Sequence, residues 1–586
     1  MQKKLLWMGM TLMLLTGCAE RVHTPRLLPE WGRAARVGVS ARPAPVGLVV
    51  APDGSRVALA WPTRNATDDA QESIHLLVLS NRGATLAEYD FPSPVAELDQ
   101  VQLLSASDGA SFDSAHDKLH LLWLSGKSDD RTLWYAPLPS LAAVDIKPPT
   151  LTPQALSSNA TAVRRYRAAT LPSGDVLALW TTSRGALQGW RSSDGEVQTL
   201  LDGVQQADFA VDKIGQVHVT WSESDMVSAL LLYHAVLDPK TLTLRDARLM
   251  TEIGLPGQSL ASAIDGPVIG LDEAHLYLSW TQRVRGRGVA EALYLATFPL
   301  SGDAGEVTGQ PVPFAADFPP TPEAVSGLSP WSPLPLGDTN VRQAPWVFSS
   351  PDGLLLALPV QYSTRSRTEY QPTLVPVRDG RPLGYLALTW TDATSLYPVI
   401  AADAGGQRYV AWVDAPGDAF HYPVYLSSTA PALHSAWQHL TLNDYGAAAW
   451  DYVNRVTLGL FMLPLILVWL IVPCVWLLIM LARGYDTGGR GYLTLTGAAL
   501  LYIGSKYLLT FPILTYLPGL EYLPPTVGRA LIYALPVALL LFSAGVVALA
   551  TRPWKRPNFS VMRTYLSIIL IDFCLSVSVY AIGYSE

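Results

Sequence analysis

The feature that most constrains this chain is a unit of four short apolar runs that recurs seven times between residues 45 and 443. The copy at 397–442 reads YPVIAAD, GGQRYVAWVD, HYPVYLSST and AWQHLTL. Runs of about five to eight residues rich in Val, Leu, Tyr and Trp, bounded by Gly, Pro, Asp or Ser, indicate β-strands joined by hairpins. The second run usually ends in a marker tryptophan: Trp61, Trp123, Trp180, Trp221, Trp280 and Trp412, with Pro359 at this place in the sixth copy.

These repeats predict an all-β seven-bladed propeller with four-stranded blades. A lone apolar four-stranded sheet cannot bury both faces, whereas blades stacked around an axis cover one another and leave only short edges. We expect the marker tryptophans to pack between blades, and residues 36–40 to pair with the last blade and close the ring. An array of two-sheet sandwiches is the alternative fold. The blade count is open by one, because the second copy is irregular around 108–117.

The repeats resemble those of the β-propeller superfamily in general rather than one family. Sialidase-like propellers carry Asp boxes of the form Ser-x-Asp-x-Gly followed closely by Trp. The nearest segments here, at 192–195 and 350–353, lack both the residue between Asp and Gly and the tryptophan. With no recognisable arginine triad, the resemblance does not extend to glycosidase activity. Asp212, Asp272 and Asp403 recur at one blade turn, where we expect them to accept hydrogen bonds from nearby backbone amides.

The N-terminus predicts export. Lys3 and Lys4 precede a short apolar run, which is too short for a stable spanning helix and is typical of a signal peptide. The run ends in Leu-Thr-Gly-Cys at 15–18, which resembles the lipobox of bacterial lipoproteins. The resemblance implies a signal peptide at 1–17, a lipid on Cys18 and a tether at 18–44. A signal anchor with an incidental cysteine is the alternative.

Composition changes abruptly beyond residue 451. Four long apolar runs lie within 453–586, at about 456–481, 492–516, 530–550 and 564–582. Each is long enough to cross a hydrocarbon core of about 30 Å. Basic residues concentrate in the first and third connections, which by the positive-inside rule places the propeller outside the cytoplasm. The sequence therefore predicts an all-α domain of four transmembrane helices, and localisation in the cell membrane of a bacterium with the propeller on the extracytoplasmic side.

Two ionisable residues, Lys506 and Asp572, fall within the predicted spans. Charges inside a membrane are costly and often functional. A structural pair, or a Lys506 side chain that reaches towards the interface, is the alternative.

A proline-rich insertion at 310–346 separates the fifth and sixth blades. Its prolines exclude a regular strand register. Loops on a rigid scaffold often carry function, so Trp331 and Trp346 are candidate contacts for a partner. The alternative is a loop that packs over the edge of the propeller.

No motif for catalysis, a cofactor or a metal is present, so we predict no catalytic, cofactor-binding or metal-binding residue. The formal net charge of −8 excludes the basic footprint that nucleic-acid binding requires. The three cysteines, at 18, 474 and 574, leave the repeat region without a disulfide framework. The expected partners are membrane lipid and an unidentified protein.

These observations favour a non-enzymatic binding or assembly module, acting as a subunit or accessory of a membrane protein complex. One alternative is a glycan hydrolase at the propeller face, which needs two carboxylates about 5–9.5 Å apart. The other is a sensor or transport component that uses the four spans.

Overall fold

A computed structural model of the chain describes residues 31–65, 68–93, 97–106, 118–127, 130–138, 151–157, 161–224, 229–254, 263–284, 290–300, 345–350, 353–363, 368–383, 385–389, 393–415, 421–437, 463–485, 488–514, 525–551 and 560–584. The described residues divide into two compact units. One contains all of the β-strands, and the other contains four C-terminal helices.

The strands form seven separate antiparallel sheets, which are the seven predicted blades. Blade 7 contains β26 (Thr394–Ala402), β27 (Arg408–Ala415), β28 (Tyr422–Ser428) and β1 (Ala35–Ser40). Blade 1 contains β2 (Gly47–Val50), β3 (Arg56–Asn65), β4 (Asp68–Ser80) and β5 (Thr85–Pro92). Blade 2 contains β6 (Leu98–Ala106), β7 (Lys118–Ser125), β8 (Thr132–Leu138) and β9 (Gln154–Ala155). Blade 3 contains β10 (Val163–Thr170), β11 (Val176–Thr182), β12 (Leu187–Arg191) and β13 (Val197–Leu201).

The remaining sheets follow the same order. Blade 4 contains β14 (Val204–Val211), β15 (Val217–Ser224), β16 (Ala229–Asp238) and β17 (Thr243–Gly254). Three strands of blade 5 are described: β18 (Ala263–Leu271), β19 (His275–Val284) and β20 (Ala290–Pro299). Blade 6 contains β21 (Trp346–Ser350), β22 (Gly353–Ser363), β23 (Thr368–Arg378) and β24 (Arg381–Pro382), and β25 (Leu386–Ala387) also pairs with β23. The predicted seven-bladed propeller is therefore confirmed, and the sandwich array is wrong.

The ring closes as the sequence predicts. The outermost strand of blade 7 is β1, whose residue Ala35 pairs with Leu426 and Ser40 with Tyr422 of β28. Trp61 of blade 1 donates a hydrogen bond from Nε1 to the Val39 carbonyl at 3.0 Å. The last blade therefore combines strands from distant parts of the chain, and blade 1 holds the N-terminal strand in place.

The marker tryptophans pack between blades, as predicted. All six are at most 3% exposed, and each belongs to a core cluster shared by two neighbouring blades. Four of them stack on the aromatic residue that faces them across the second and third strands: Trp123 on Trp134, Trp221 on Tyr233, Trp280 on Tyr294 and Trp412 on Tyr425. Cross-strand aromatic pairs of this kind stabilise antiparallel sheets. The recurring tryptophan is thus a structural feature of the blade.

Side-chain hydrogen bonds link the first strands of neighbouring blades, which contact one another in ring order. The Gln102 amide of blade 2 donates to the Ala168 carbonyl of blade 3 at 2.7 Å and accepts from the Ala168 amide at 3.2 Å. Ser349 of blade 6 accepts a hydrogen bond from the Leu271 amide of blade 5 at 3.1 Å. These buried bonds satisfy backbone groups that have no ladder partner between blades.

Five helices complete the described structure. A short helix, α1 (Pro431–Trp437), follows blade 7. The second unit contains α2 (Leu463–Ala482), α3 (Gly488–Leu514), α4 (Pro525–Thr551) and α5 (Val561–Tyr584). They pack around a core that includes Trp469, Tyr502, Leu540 and Tyr565. They also expose large apolar side chains, including Leu493 at 73% and Leu508 at 83%.

The prediction of four transmembrane helices is wrong for the part of the chain that the structure describes. No helix there is both long and apolar enough to cross a membrane. A spanning helix needs about 20 consecutive, mainly apolar residues. Helix α3 contains Arg490 and Lys506, and helix α5 contains Arg563 and Asp572. The predicted localisation in the cell membrane depended on the four spans, so it is not supported by the described structure.

Candidate functional site

A cavity of about 460 Å³ occupies one end of the propeller axis, where the first strand of each blade begins. Residues of blades 2 to 7 contribute to its lining together with Pro45, which lies just before blade 1, and its walls are mainly polar. The lining includes Asp99, Arg164, Arg165, Arg167, Gln205, Gln206, Asp208, Asp265, Trp346 and Tyr397. We call this cavity the axial pocket. Its size lies within the range of about 300–1,000 Å³ that is usual for ligand sites.

β-bulges shape the axial pocket. The pairing of the first and second strands shifts register near the start of the first strand in blades 2, 3, 4, 5 and 7. A bulge inserts an extra residue and redirects side chains, and it is common beside functional sites. In blade 7 the bulge includes Tyr397, which adopts a φ of 53°, an uncommon conformation for a residue with a bulky side chain. The same irregularity thus recurs around the wall of the pocket.

Arg165 reaches from blade 3 to blade 5. Its Nη1 lies 2.8 Å from Asp265 Oδ1 and 3.5 Å from Gln206 Oε1 of the intervening blade. Gln206 Oε1 also accepts a hydrogen bond from the Gly266 amide at 2.7 Å. The guanidinium is therefore held by the Asp265 carboxylate and by an amide that is itself bonded to the backbone.

Arg167 reaches across the axis to blades 4 and 6. Its Nε lies 3.6 Å from Asp208 Oδ1, and its guanidinium lies over the Trp346 ring, 4.1 Å from the ring centre. Asp208 is buried and accepts a hydrogen bond from the Ile269 amide of blade 5 at 3.1 Å. Arg167 thus joins three blades through an ion pair and a cation–π contact.

Two further charged residues, Arg164 and Asp99, line the pocket. Arg164 is exposed and donates from Nη2 to the Ser183 carbonyl at 3.0 Å. Asp99 forms an ion pair with Arg131, whose Nη2 lies 2.7 Å from Asp99 Oδ2. Every lining carboxylate in the described residues is therefore engaged by an arginine.

Tyr166 anchors the strand that carries these arginines. Its hydroxyl donates to the Leu122 carbonyl of blade 2 at 3.0 Å. Burial raises the pKa of Tyr166 well above its usual value, so the hydroxyl stays protonated and remains a donor. Blade 3 therefore holds its arginines on a rigid strand.

The opposite end of the axis carries the turns that follow the first strands. Asp212 Oδ1 accepts from the amides of residues 214 and 216, Asp272 Oδ1 from those of 274 and 275, and Asp403 Oδ1 from that of 407. The predicted role of these aspartates in capping turns is confirmed. Burial opposes ionisation of Asp272, but hydrogen bonds from Tyr277 and two backbone amides lower its pKa.

Two buried histidines adjoin the Asp212 turn in blade 4. His218 Nδ1 lies 3.1 Å from His234 Nε2, and His218 Nε2 lies 3.5 Å from Asp212 Oδ2. Burial, then the neighbouring His218 and Arg248, lowers the pKa of His234 to about 3. Burial also lowers the pKa of His218, although Asp212 raises it. Within the described ranges no group of three or more His, Cys, Asp or Glu side chains could hold a metal ion.

The predicted site residues are distributed as follows. Cys18, Trp331 and most of the 310–346 insertion lie outside the described residues, so their roles remain predictions. Trp346 is half-buried, packs against the apolar cores of blades 1, 6 and 7, and lines the axial pocket. Its contact with a partner remains a prediction.

Lys506 and Asp572 form an ion pair. Lys506 Nζ lies 2.9 Å from Asp572 Oδ2 and 2.7 Å from Ser576 Oγ, and Tyr502 donates its hydroxyl to the same Asp572 oxygen at 2.8 Å. Both charged side chains are at most 1% exposed. Asp572 Oδ1 has no hydrogen-bond partner among the described residues. The geometry is that of a structural pair between α3 and α5, and it does not test a functional role.

Sequence reasoning missed the arginines of the axial pocket. Their signal is the segment VRRYRAAT at the start of blade 3, where three arginines occupy a strand that contains no arginine or lysine in the other blades. A first strand faces the axis of a propeller, so charged residues there need partners across the channel. That argument would have identified the pocket.

Comparisons with known proteins find solved structures of low sequence identity. Similar solved structures include the N-terminal domain of Nup159, at 9% identity over 69% of this chain and 97% of that chain, with a TM-score of 0.36. A polysaccharide lyase described as an ulvan lyase is 8% identical over 67% and 94%, with a TM-score of 0.41. An endo-arabinase from Bacteroides thetaiotaomicron is 12% identical over 67% and 95%, with a TM-score of 0.27. No protein-family model and no curated protein matches the chain.

Proposed function

We propose that the protein is a non-enzymatic binding or assembly module and that the axial pocket receives part of its partner. The observation that carries this proposal is the convergence of three guanidinium groups, from Arg164, Arg165 and Arg167, on one open polar cavity. Arginine offers five N–H donors in a fixed plane. A pocket that presents several arginines is therefore suited to binding the hydrogen-bond acceptors of a partner.

Glycan hydrolysis fits the pocket less well. A glycosidase of the usual kind needs one carboxyl group free to protonate the leaving oxygen and a second that acts as nucleophile or base. Asp99, Asp208 and Asp265 are each engaged by an arginine, and Asp208 also accepts a backbone hydrogen bond. These contacts favour a role in holding the arginines.

Affinity purification of the intact tagged protein from its native cells, followed by mass spectrometry, tests the proposal. The pocket variant is Arg164→Ala with Gln205→Ala, because both side chains are exposed and Arg164 makes one hydrogen bond. The matched control is Lys213→Ala with Glu273→Ala, an exposed ion pair in turns at the other end of the axis.

We expect one or more partners at near-stoichiometric amounts with the wild type and the control. Recovery with the pocket variant should fall about tenfold or more, as the loss of charge-assisted hydrogen bonds predicts. Equal recovery of the same partners with wild type and pocket variant would overturn the proposal, as would a wild type that purifies alone.

A further inference from the structure

We infer that the group recognised in the axial pocket is a carboxylate on an acidic peptide segment of a partner protein; this rests on the proposed function. The first reason is a surplus of donors. Arg165 donates hydrogen bonds only from Nη1, and Arg164 donates only from Nη2. Arg167 approaches Asp208 through Nε. The other N–H groups of these guanidiniums have no acceptor among the described residues, so acceptors from a ligand can bind them.

The second reason is local charge. The lining itself carries three arginines and three aspartates, but Asp99 pairs with Arg131, which lies outside the lining, so Arg164 faces no carboxylate partner among the described residues. A cationic ligand is therefore disfavoured, and an anionic group is attracted.

The third reason distinguishes a peptide from an acidic glycan. Proteins commonly bind a sugar ring against the free face of an aromatic side chain. Here Arg167 covers one face of Trp346, and the ring packs against the propeller core. Arginine forks match the planar carboxylate of Asp, Glu or a chain terminus. The pocket volume of about 460 Å³ accommodates a few residues of an extended segment rather than a folded domain.

Fluorescence anisotropy with three labelled peptides tests the inference on the full-length protein. The peptides are repeats of Gly-Glu, Gly-Gln and Gly-Lys of equal length, and labelled oligogalacturonate serves as the glycan probe. The reversal variant is Arg164→Glu. Its matched control is Arg245→Glu, an exposed arginine on the outermost strand of blade 4 that pairs with Asp238.

We expect the Gly-Glu peptide to bind about tenfold or more tightly than the Gly-Gln peptide, and the Gly-Lys peptide not to bind. Arg164→Glu should weaken Gly-Glu binding about 10- to 100-fold, the effect of losing hydrogen bonds to a charged group, whereas Arg245→Glu should change it less than about twofold. Affinity should fall as salt is raised. Circular dichroism of both variants would confirm that they are folded.

The outcomes separate this inference from the proposed function. If the Gly-Glu and Gly-Gln peptides bind equally, or if Arg164→Glu and Arg245→Glu behave alike, the carboxylate inference fails. If oligogalacturonate binds and the Gly-Glu peptide does not, the ligand is an acidic glycan and the inference is again overturned. In each case a partner whose capture still depends on Arg164 and Gln205 would leave the proposed function standing.

Discussion

The buried histidine pair of blade 4 predicts that the propeller loses stability in mild acid. Asp212 beside His218 Nε2 favours the tautomer with a proton on that nitrogen, so His218 Nδ1 accepts a hydrogen bond from His234 Nε2. His234 is 5% exposed, and His234 Nδ1 has no hydrogen-bond partner among the described residues. Protonation of His234 would place a charge in this apolar interior next to a second histidine.

The magnitude follows from the pKa of His234, which is about 3 in the folded protein and 6.5 as its ordinary value. Between these values the unfolded chain binds the proton and the folded chain does not, so acid favours unfolding. The stabilisation is present above pH 6.5 and is lost as the pH falls towards 3. At pH 5 the loss relative to pH 7 is about 2 kcal/mol, at 1.36 kcal/mol per pKa unit. His218, whose pKa burial also lowers, adds a loss of the same sign.

Urea denaturation followed by tryptophan fluorescence at pH 7 and pH 5 measures this loss. His234→Gln keeps an amide that can donate to His218 but cannot take up a proton in this range. We expect the wild type to lose about 2 kcal/mol more than His234→Gln between the two pH values. The control is His421→Gln, which replaces an exposed histidine at the start of β28 and should follow the wild type. The reasoning would be refuted if the difference in unfolding free energy between the wild type and His234→Gln were the same at pH 7 and pH 5.

Two further predictions concern packing. Gly38→Ala should destabilise the pairing of β1 with β28 by about 1–3 kcal/mol, because a Cβ there would lie 2.3 Å from Trp61 Cζ2. We expect faster hydrogen exchange in β28 of this variant, and unchanged exchange would contradict the prediction. Either single variant, Lys506→Met or Asp572→Leu, should lower the free energy of unfolding by about 3–5 kcal/mol, because it removes one partner of a buried ion pair. The double variant should be nearly as stable as the wild type or more so. Thermal unfolding followed by circular dichroism measures this difference, and additive losses in the double variant would contradict the prediction.

Much of the fold could be predicted from local patterns. The marker tryptophans, the four-run unit and the turn aspartates report on short-range strand and hairpin chemistry, which repeats in every blade. The pairing of β1 with β28 was also expected, although the fourth run predicted for the last blade at 436–442 begins at the end of helix α1, and β1 is the fourth strand. The apolar runs beyond residue 451 indicate helices correctly, but their apolar character alone did not establish membrane spans in the described structure.

The candidate site was harder to predict because its residues meet only through the ring. Asp99, Arg167, Asp208 and Trp346 come from four different blades and are far apart in sequence. No spacing rule connects them, since their proximity depends on how seven sheets are arranged around one axis. Trp346 was singled out as a candidate contact for a partner, and the structure places it half-buried under Arg167. Arg167 itself sits in a segment whose local pattern is only that of a strand.

The pairing of Ala35 with Leu426 also sets an order of events during synthesis. The ribosome synthesises β28 after the strands of blades 1 to 6. The strand β1 therefore has no pairing partner until blade 7 has been made. Contacts this distant in sequence form slowly. Until then the β28 edge is open, and an open strand edge can pair with another chain. Newly made protein is therefore most exposed to aggregation at this seam, and a chaperone that shields an unpaired strand would act there.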